Sequence, residues 1–335
     1  MKKGITKILS ACVFAFVVFL AAGTQSKAAV NMGVKQTGAG SSYVDLAWDA
    51  QLGAGHYHTQ FSQDGKNWID MDNSSSPSES VYNLTQGASY YARVVAYKGS
   101  HYTGTHVMIG VSETAIVSTK PTEVSGLTQT AAGVNSVSMS WNASAGAASY
   151  VIYGYINYNW TQIGTSATNS ATITGVAATT STRFSVAAVK NVTGGTVTGD
   201  QCSGVEMKAI PIKVSRIAMQ YYWDSLKEAK YIWTDVNNAD GYQYEVKSAN
   251  GKKTYFRATS TNSYTYVKPF PRGIFVKARV RAYVTVGNKV YYGAWSPYTY
   301  HASSKKVTAK RSSNGKKIYL KWKKVSALHL VPALP

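Results

Sequence analysis

The stretch VDLAWDAQLGAGHY, Val44–Tyr57, contains the pattern that decides the fold. An alternating run ends at Trp48, a turn of small residues follows, and Tyr57 comes nine residues after the tryptophan. The same frame recurs as VSMSWNASAGAASY at 137–150 and as AKYIWTDVNNADGY at 229–242. Strict alternation predicts a strand with one face buried. Each frame therefore predicts two strands joined by a turn, with the tryptophan and the tyrosine in a core.

The repeat extends beyond these frames. Four tryptophans lie 93, 92 and 89 residues apart, at Trp48, Trp141, Trp233 and Trp322. A later alternating strand, Tyr90-x-Ala92-x-Val94-x-Ala96, returns as Phe184-x-Val186-x-Ala188 and as Val276-x-Ala278-x-Val280-x-Ala282. Repeats at a fixed period indicate tandem units. The predicted structural core residues are Trp48, Tyr57, Tyr90, Trp141, Tyr150, Trp233 and Tyr242.

These motifs resemble the fibronectin type III domain, with its tryptophan on strand B, its tyrosine on strand C and its Tyr-x-x-x-Val-x-Ala strand F. Tyr90 with Leu84 is similar to that family's tyrosine corner, although Thr182 and Val276 stand in its place in the later copies. The resemblance implies an all-β chain of three tandem immunoglobulin-like (fibronectin type III) β-sandwiches. We expect them at residues 29–120, 121–210 and 211–302, followed by an incomplete fourth at 303–335.

The N-terminal segment predicts export. Lys2, Lys3 and Lys7 precede an apolar run of 15 residues, Ile8–Ala22, and small residues follow it. This pattern is typical of a secretory signal peptide, here residues 1–28. Only Cys202 would then remain, so no internal disulfide could form. We therefore expect a bacterial protein that is secreted or held at the cell surface.

The C-terminal segment begins like a fourth copy. Lys305 to Trp322 matches the first two strands of the repeat, but Val331 stands where the tyrosine is expected. Two strands cannot close a sandwich. The segment is either a truncated fourth repeat or a basic tail that pairs with the third copy or with a partner.

Charge is distributed unevenly along the chain. The formal net charge is +20, and the segments 29–120 and 121–210 have net charges of −2 and zero. Residues 211–302 carry 14 basic and five acidic side chains, and residues 303–335 carry nine basic and none acidic. Such a field attracts polyanions, or it is a solvated surface with no particular partner. The expected partner is an anionic cell-wall polymer or polysaccharide, with other surface proteins as further candidates.

The strongest candidate site lies on strand F of the third copy. Val276, Ala278, Val280 and Ala282 alternate with Lys277, Arg279, Arg281 and Tyr283, so the cations share the outer face. With Trp295 and Tyr298 they are similar to the arginine–aromatic ladder of cytokine-receptor type III domains. They form either a structural ladder, with Glu245 pairing one cation, or a polyanion site. The remaining candidates for polyanion binding are Lys316, Lys317, Lys321 and Lys323.

Other clusters are weaker. Tyr153, Tyr155, Tyr158 and Trp160 form a candidate platform for sugars or peptides, or they cover the edge of the sandwich. His56 and His58 share a face, and strand F is expected to separate them from His101 and His106, so no metal site is predicted. The sequence contains no catalytic serine, zinc-protease or phosphate-loop motif. We therefore predict no catalytic residue and no cofactor.

The favoured interpretation is a non-catalytic binding or spacer protein whose basic C-terminal third associates with an anionic cell-wall or extracellular polymer. One alternative is the carbohydrate-binding or linker region of a polysaccharide-degrading enzyme whose catalytic domain is absent from this chain. A third is nucleic-acid binding through the basic, aromatic-rich region, which is the least favoured partner.

Overall fold

The computed structural model of the chain describes residues 29–99, 106–223, 225–270, 273–302 and 308–321. All regular structure in these ranges is β-strand, and the strands form tandem β-sandwiches. None of the described segments forms a helix long and apolar enough to cross a membrane. The predicted signal peptide, His101, Trp322, Lys323 and Val331 lie outside the described residues.

The first sandwich contains nine strands. They are β1 (Ala29–Val30), β2 (Lys35–Ala39), β3 (Val44–Ala47), β4 (His56–Ser62), β5 (Ile69–Ser74), β6 (Ser78–Val81), β7 (Ser89–Lys98), β8 (Val107–Ser112) and β9 (Ala115–Ser118). One sheet has the order β2-β3-β6, and the other has the order β1-β8-β7-β4-β5 with β9 also paired to β7. All pairs are antiparallel except β1 with β8.

The second sandwich repeats this arrangement with fewer strands. They are β10 (Thr128–Gly133), β11 (Ser136–Ser140), β12 (Ser149–Ile156), β13 (Asn159–Ser166), β14 (Ser170–Thr174), β15 (Thr182–Val192), β16 (Gly195–Thr198) and β17 (Val205–Met207). The sheets are β10-β11-β14 and β13-β12-β15-β16, with β17 on β15.

The third sandwich has the same order. Its strands are β18 (Ile217–Trp223), β19 (Glu228–Trp233), β20 (Gly241–Ser248), β21 (Thr254–Ser260), β22 (Tyr264–Val267), β23 (Phe275–Val286), β24 (Lys289–Tyr292) and β25 (Thr299–Ala302). The sheets are β18-β19-β22 and β21-β20-β23-β24, with β25 on β23. A separate antiparallel pair follows, β26 (Thr308–Arg311) with β27 (Ile318–Lys321), and every residue in its two strands is exposed.

A tryptophan–tyrosine pair occupies the same place in all three cores. Trp48 meets Tyr57 edge to face at 5.4 Å between ring centroids, and the corresponding pairs in the second and third sandwiches lie 5.3 and 5.5 Å apart. The tyrosine hydroxyls accept hydrogen bonds from the backbone N–H six residues earlier, at 2.8 to 3.1 Å. The frame therefore recurs because each tyrosine fills the core and also fixes the turn before it.

The predicted tyrosine corner is present in the first sandwich. Tyr90 is buried, and its hydroxyl accepts a hydrogen bond of 3.0 Å from the N–H of Thr85. Leu84 is also buried, in the same core cluster. The hydrogen bond closes the connection between β6 and β7.

A glutamine ties the two sheets together in the first two sandwiches. The first long strand of each sandwich, β2, β10 and β18, contains a bulge. At the bulge, Gln36 donates to the carbonyl of Ser118 at 2.7 Å and accepts from its N–H at 2.9 Å. Gln129 makes the same two bonds to Lys208, at 2.7 and 3.0 Å. Met219 stands at this position in the third sandwich.

The first two sandwiches meet through direct bonds. The N–H of Thr193 donates to the carbonyl of Ile116 at 2.8 Å, and the N–H of Ile116 donates to the Thr193 hydroxyl at 2.7 Å. The ammonium group of Lys190 is buried and donates to the carbonyl of Gly87. Burial lowers the pKa of this lysine. These contacts fasten the β15–β16 hairpin to the first sandwich.

Candidate functional site

Alternation along β23 sorts its side chains onto two faces. Val276, Ala278, Val280 and Ala282 have no exposed surface and belong to the core. The side chains between them, Lys277, Arg279 and Arg281, are half-buried on the opposite face. Because side chains of a strand point alternately to its two sides, the three cations form a row along the outside of the sheet.

Three aromatic rings interleave with this row. Cation-to-centroid distances are 4.6 Å for Lys277–Tyr298, 4.8 Å for Arg279–Tyr298, 4.3 Å for Arg279–Trp295, 4.5 Å for Arg281–Trp295 and 3.8 Å for Arg281–Tyr292. Each arginine therefore lies between two rings. We call these six side chains the ladder. Stacking of this kind contributes about 0.5–1 kcal/mol per exposed pair.

Glu245 is the centre of the charge network behind the ladder. In the strand register it lies between Arg257 on β21 and Arg279 on β23. Its carboxylate accepts hydrogen bonds of 2.6 Å from each of these arginines and pairs with Lys247 at 3.1 Å. Burial by itself would raise the pKa of Glu245, but the bonds from the three cations outweigh it and lower the pKa to about 2.

The outer face of this sheet keeps a large excess of positive charge. Strands β20, β21 and β23 contribute five cations, Lys247, Arg257, Lys277, Arg279 and Arg281, and Glu245 is their one carboxylate. We call these five cations the cationic face; its net charge with Glu245 is +4. Glu245 neutralises only one of the five positive charges. The same side chains can therefore form a structural ladder and still bind a polyanion.

The other predicted lysines lie elsewhere. Lys316 and Lys317 are in the turn before β27, and Lys321 ends that strand. All three are exposed, on a sheet of two strands that is separate from the sheets of the third sandwich. Lys323 is outside the described residues. Their role in polyanion binding stays a prediction.

The predicted platform of the second sandwich sits on the β12–β13 hairpin. Tyr155 and Trp160 face each other across the two strands, with their rings edge to face at 5.3 Å. The Trp160 ring also lies against Gly204, where a Cβ atom would come within 2.7 Å of it. Tyr158 is 89% exposed at the turn, and Tyr153 is half-buried. Two of the four rings therefore pack on each other, and the surface they leave is a small one.

The expectation that strand F separates the histidines is wrong for His106. Its ring centroid lies 5.4 Å from that of His56 and 6.1 Å from that of His58, with Tyr97 packed among the three. His106 directly precedes β8, and its ring lies against those of His56 on β4 and Tyr97 on β7. Even so, no group of three or more histidine, cysteine or acidic side chains in the described part of the chain is arranged to hold a metal ion.

Sequence reasoning missed an aromatic surface on the other sheet of the third sandwich. Four exposed rings, Tyr221, Trp223, Tyr264 and Tyr266, lie on the outer face of β18-β19-β22. A signal was present, since Tyr221 and Trp223 alternate along one strand and Tyr264 and Tyr266 along another. The tryptophan frame does not predict it, because the frame specifies only the inward-facing residues.

No protein-family model matches the chain, and no curated protein matches it. Among solved structures, it is similar to the crystal structure of chicken CNTN1 FN1-FN3 domains. The two share 16% sequence identity, the match covers 82% of this chain and 98% of that one, and the TM-score is 0.34. The sheets and the three hydrophobic cores of this chain define its fold.

Proposed function

We propose that this chain is a non-catalytic binding protein of fibronectin type III-like sandwiches that holds an anionic cell-wall or extracellular polymer through its third sandwich. The cationic face carries this proposal. It places five cations and one carboxylate on three adjacent strands. A field of that density attracts polyanions and is screened by salt.

The cationic face is suited to binding an anionic polymer because its arginine side chains are already held in place. The rings of the ladder and Glu245 hold Arg279 in one orientation before any ligand arrives. Arg257 is 54% exposed at the edge of the same network. Guanidinium groups bind phosphate and carboxylate groups in bidentate fashion. Fixed donors lose little conformational entropy on binding, which favours association.

The proposal also places the protein outside the cell. Its support is the basic and apolar N-terminal segment, which is typical of an export signal, and a remainder with a single cysteine, Cys202. Outside a bacterium the abundant polyanions include teichoic acids and acidic polysaccharides. Spacing is the second part of the function, because the first two sandwiches carry little net charge and are directly bonded to each other.

The test is binding of the full chain to purified poly(glycerol phosphate) teichoic acid, measured by titration calorimetry at several salt concentrations. The double variant Arg257→Gln/Lys277→Gln removes two cations of the face and leaves Arg279 bonded to Glu245. We expect its affinity to fall about tenfold, since two ion pairs of about 0.7 kcal/mol each correspond to that factor. The salt dependence should also become weaker.

The matched control is Lys35→Gln/Lys66→Gln. It removes the same charge from two exposed lysines of the first sandwich, so its affinity should stay near that of the wild type. Equal losses in both variants would mean that only total charge matters, and the proposed face would be rejected. Binding that does not weaken with salt would also reject it.

A further inference from the structure

The outer face of the β18-β19-β22 sheet exposes four aromatic side chains. The exposed fractions are 37% for Tyr221, 55% for Trp223, 40% for Tyr264 and 49% for Tyr266. Large apolar groups gathered on one open face mark an interaction site more often than single exposed ones do. This surface lies on the sheet opposite the cationic face, so it is a second and separate surface of the same sandwich.

The strand register joins the four rings into one continuous row. Tyr221 and Tyr266 both lie opposite Lys230, on either side of β19. The outer rings extend the row, with Trp223 at 6.0 Å from Tyr221 and Tyr264 at 5.9 Å from Tyr266 between centroids. We call these four residues the aromatic row. Its rings lie on the two edge strands, β18 and β22, with Lys230 of β19 between them.

The sheet does not need these rings in order to form. The other two sandwiches build the same three-stranded sheet with small residues in the corresponding register. The positions of Tyr264 and Tyr266 hold Ser78 and Ser80 in the first sandwich and Ser170 and Thr172 in the second, and the position of Tyr221 holds Gly38 and Ala131. The rings are therefore a feature of the third sandwich alone and not a requirement of the fold.

The three strands of this sheet carry one basic and one acidic side chain, Lys230 and Glu228, and the exposed Lys268 follows directly after β22. The Nζ atom of Lys230 lies 5.0 and 5.6 Å from the ring centroids of Tyr264 and Tyr266. Glu228 lies opposite Trp223 on the same strand as Lys230 and balances its charge. Each ring has an apolar face and a polar rim, either a hydroxyl or an indole N–H. Ile232, which is half-buried, is the aliphatic neighbour on β19.

This combination fits a sugar polymer. A pyranose ring offers an apolar C–H face for stacking and hydroxyl groups for the polar rims. A nucleic acid would also stack on rings, but it gains affinity from cations along each phosphate, and the three strands supply one lysine, Lys230, beside one glutamate, Glu228. An open sheet face without a cleft suits a chain that extends across it. We propose that the aromatic row binds an uncharged β-linked polysaccharide strand through the faces of its sugars.

The test uses the full chain in a pull-down on insoluble chitin, cellulose and β-1,3-glucan in 1 M NaCl, where electrostatic binding is screened. We expect retention on at least one of them. The variant Tyr264→Ser/Tyr266→Thr gives the third sandwich the residues of the second, so it should fold. Its affinity for the retaining polymer should fall at least tenfold. Tyr221→Ala/Trp223→Ala, on the other edge strand, should have the same effect.

The cationic-face variant Arg257→Gln/Lys277→Gln is the matched control, and it should be retained like the wild type. If this variant binds teichoic acid as tightly as the wild type and is also retained on the polysaccharide, the cationic-face proposal is contradicted and the aromatic-row proposal is not. Several results would overturn the aromatic-row proposal. They are no retention of the wild type on any of the three polymers, or full retention of both ring variants. A parallel assay with single-stranded DNA in which the ring variants lose DNA binding but keep their retention on the polysaccharide would also overturn it.

Discussion

At the scale of residues, Glu245 decides how the third sandwich responds to acid. Its pKa is lowered from 4.5 to about 2, because hydrogen bonds from Arg257, Lys247 and Arg279 outweigh its burial. A carboxyl whose pKa is depressed in the folded state stabilises that state above its unfolded pKa. The stabilisation is lost as the pH falls from about 4.5 to about 2. A shift of this size corresponds to about 3 kcal/mol.

We therefore predict that Glu245→Gln lowers the stability of the third sandwich at pH 7 by about 2–3 kcal/mol, because it leaves the half-buried cations Lys247 and Arg279 without their counter-charge. The variant should also be less sensitive to acid between pH 4.5 and pH 2. Hydrogen exchange of β20 and β23, followed by mass spectrometry across this range, measures both effects. Glu206→Gln, which removes an exposed carboxylate from the second sandwich, is the control. Identical acid profiles for Glu245→Gln and the wild type would contradict the role given to this residue.

Single residues show where sequence reasoning succeeds and where it stops. Alternation along β23 placed the outward cations and the inward aliphatics correctly, because a strand has only two faces. It also placed Glu245 outward, but an outward residue is normally exposed, and this one has no exposed side-chain surface. The cover comes from long side chains on neighbouring strands, whose paths the sequence does not encode locally. The contact between His106 and His56 was missed for a similar reason, since local alternation does not specify which residue outside a strand packs on its outer face.

At the scale of elements, the bulges in β2 and β10 are held by glutamines that bridge to the last strand of the sandwich. The sequence contained a signal for this, because the segments Gln36-Thr37-Gly38-Ala39-Gly40 and Gln129-Thr130-Ala131-Ala132-Gly133 resemble each other. Periodicity could not reveal the bonds, since the bulge breaks the alternation at that point. The strands themselves were predictable from the tryptophan frame.

We predict that Gln129→Ala destabilises the second sandwich by about 1–3 kcal/mol, because the carbonyl and the N–H of Lys208 lose their partners in a part-buried place. Urea denaturation followed through hydrogen exchange of β10 and β17 measures this loss. Gln201→Ala, at an exposed position of the same sandwich, is the comparison and should leave stability within about 0.5 kcal/mol of the wild type. A loss as small as that for Gln129→Ala would show that the bridge contributes little.

At the scale of the whole molecule, the third of three similar sandwiches carries the excess positive charge of the three and also the aromatic row. The repeat frame made the tandem arrangement predictable, since each copy needs the same core. The frame did not reveal the aromatic row, because outward positions vary freely without harming the fold. This division between core and surface explains why the fold was easier to predict than the function.

The most direct test of the central claim is hydrogen–deuterium exchange of the full chain with and without poly(glycerol phosphate) teichoic acid at low salt. The account predicts protection of β20, β21 and β23, which carry the cationic face, and unchanged exchange in β4, β7, β12 and β15 of the other two sandwiches. Protection that is spread evenly over the three sandwiches, or confined to the first two, would contradict it.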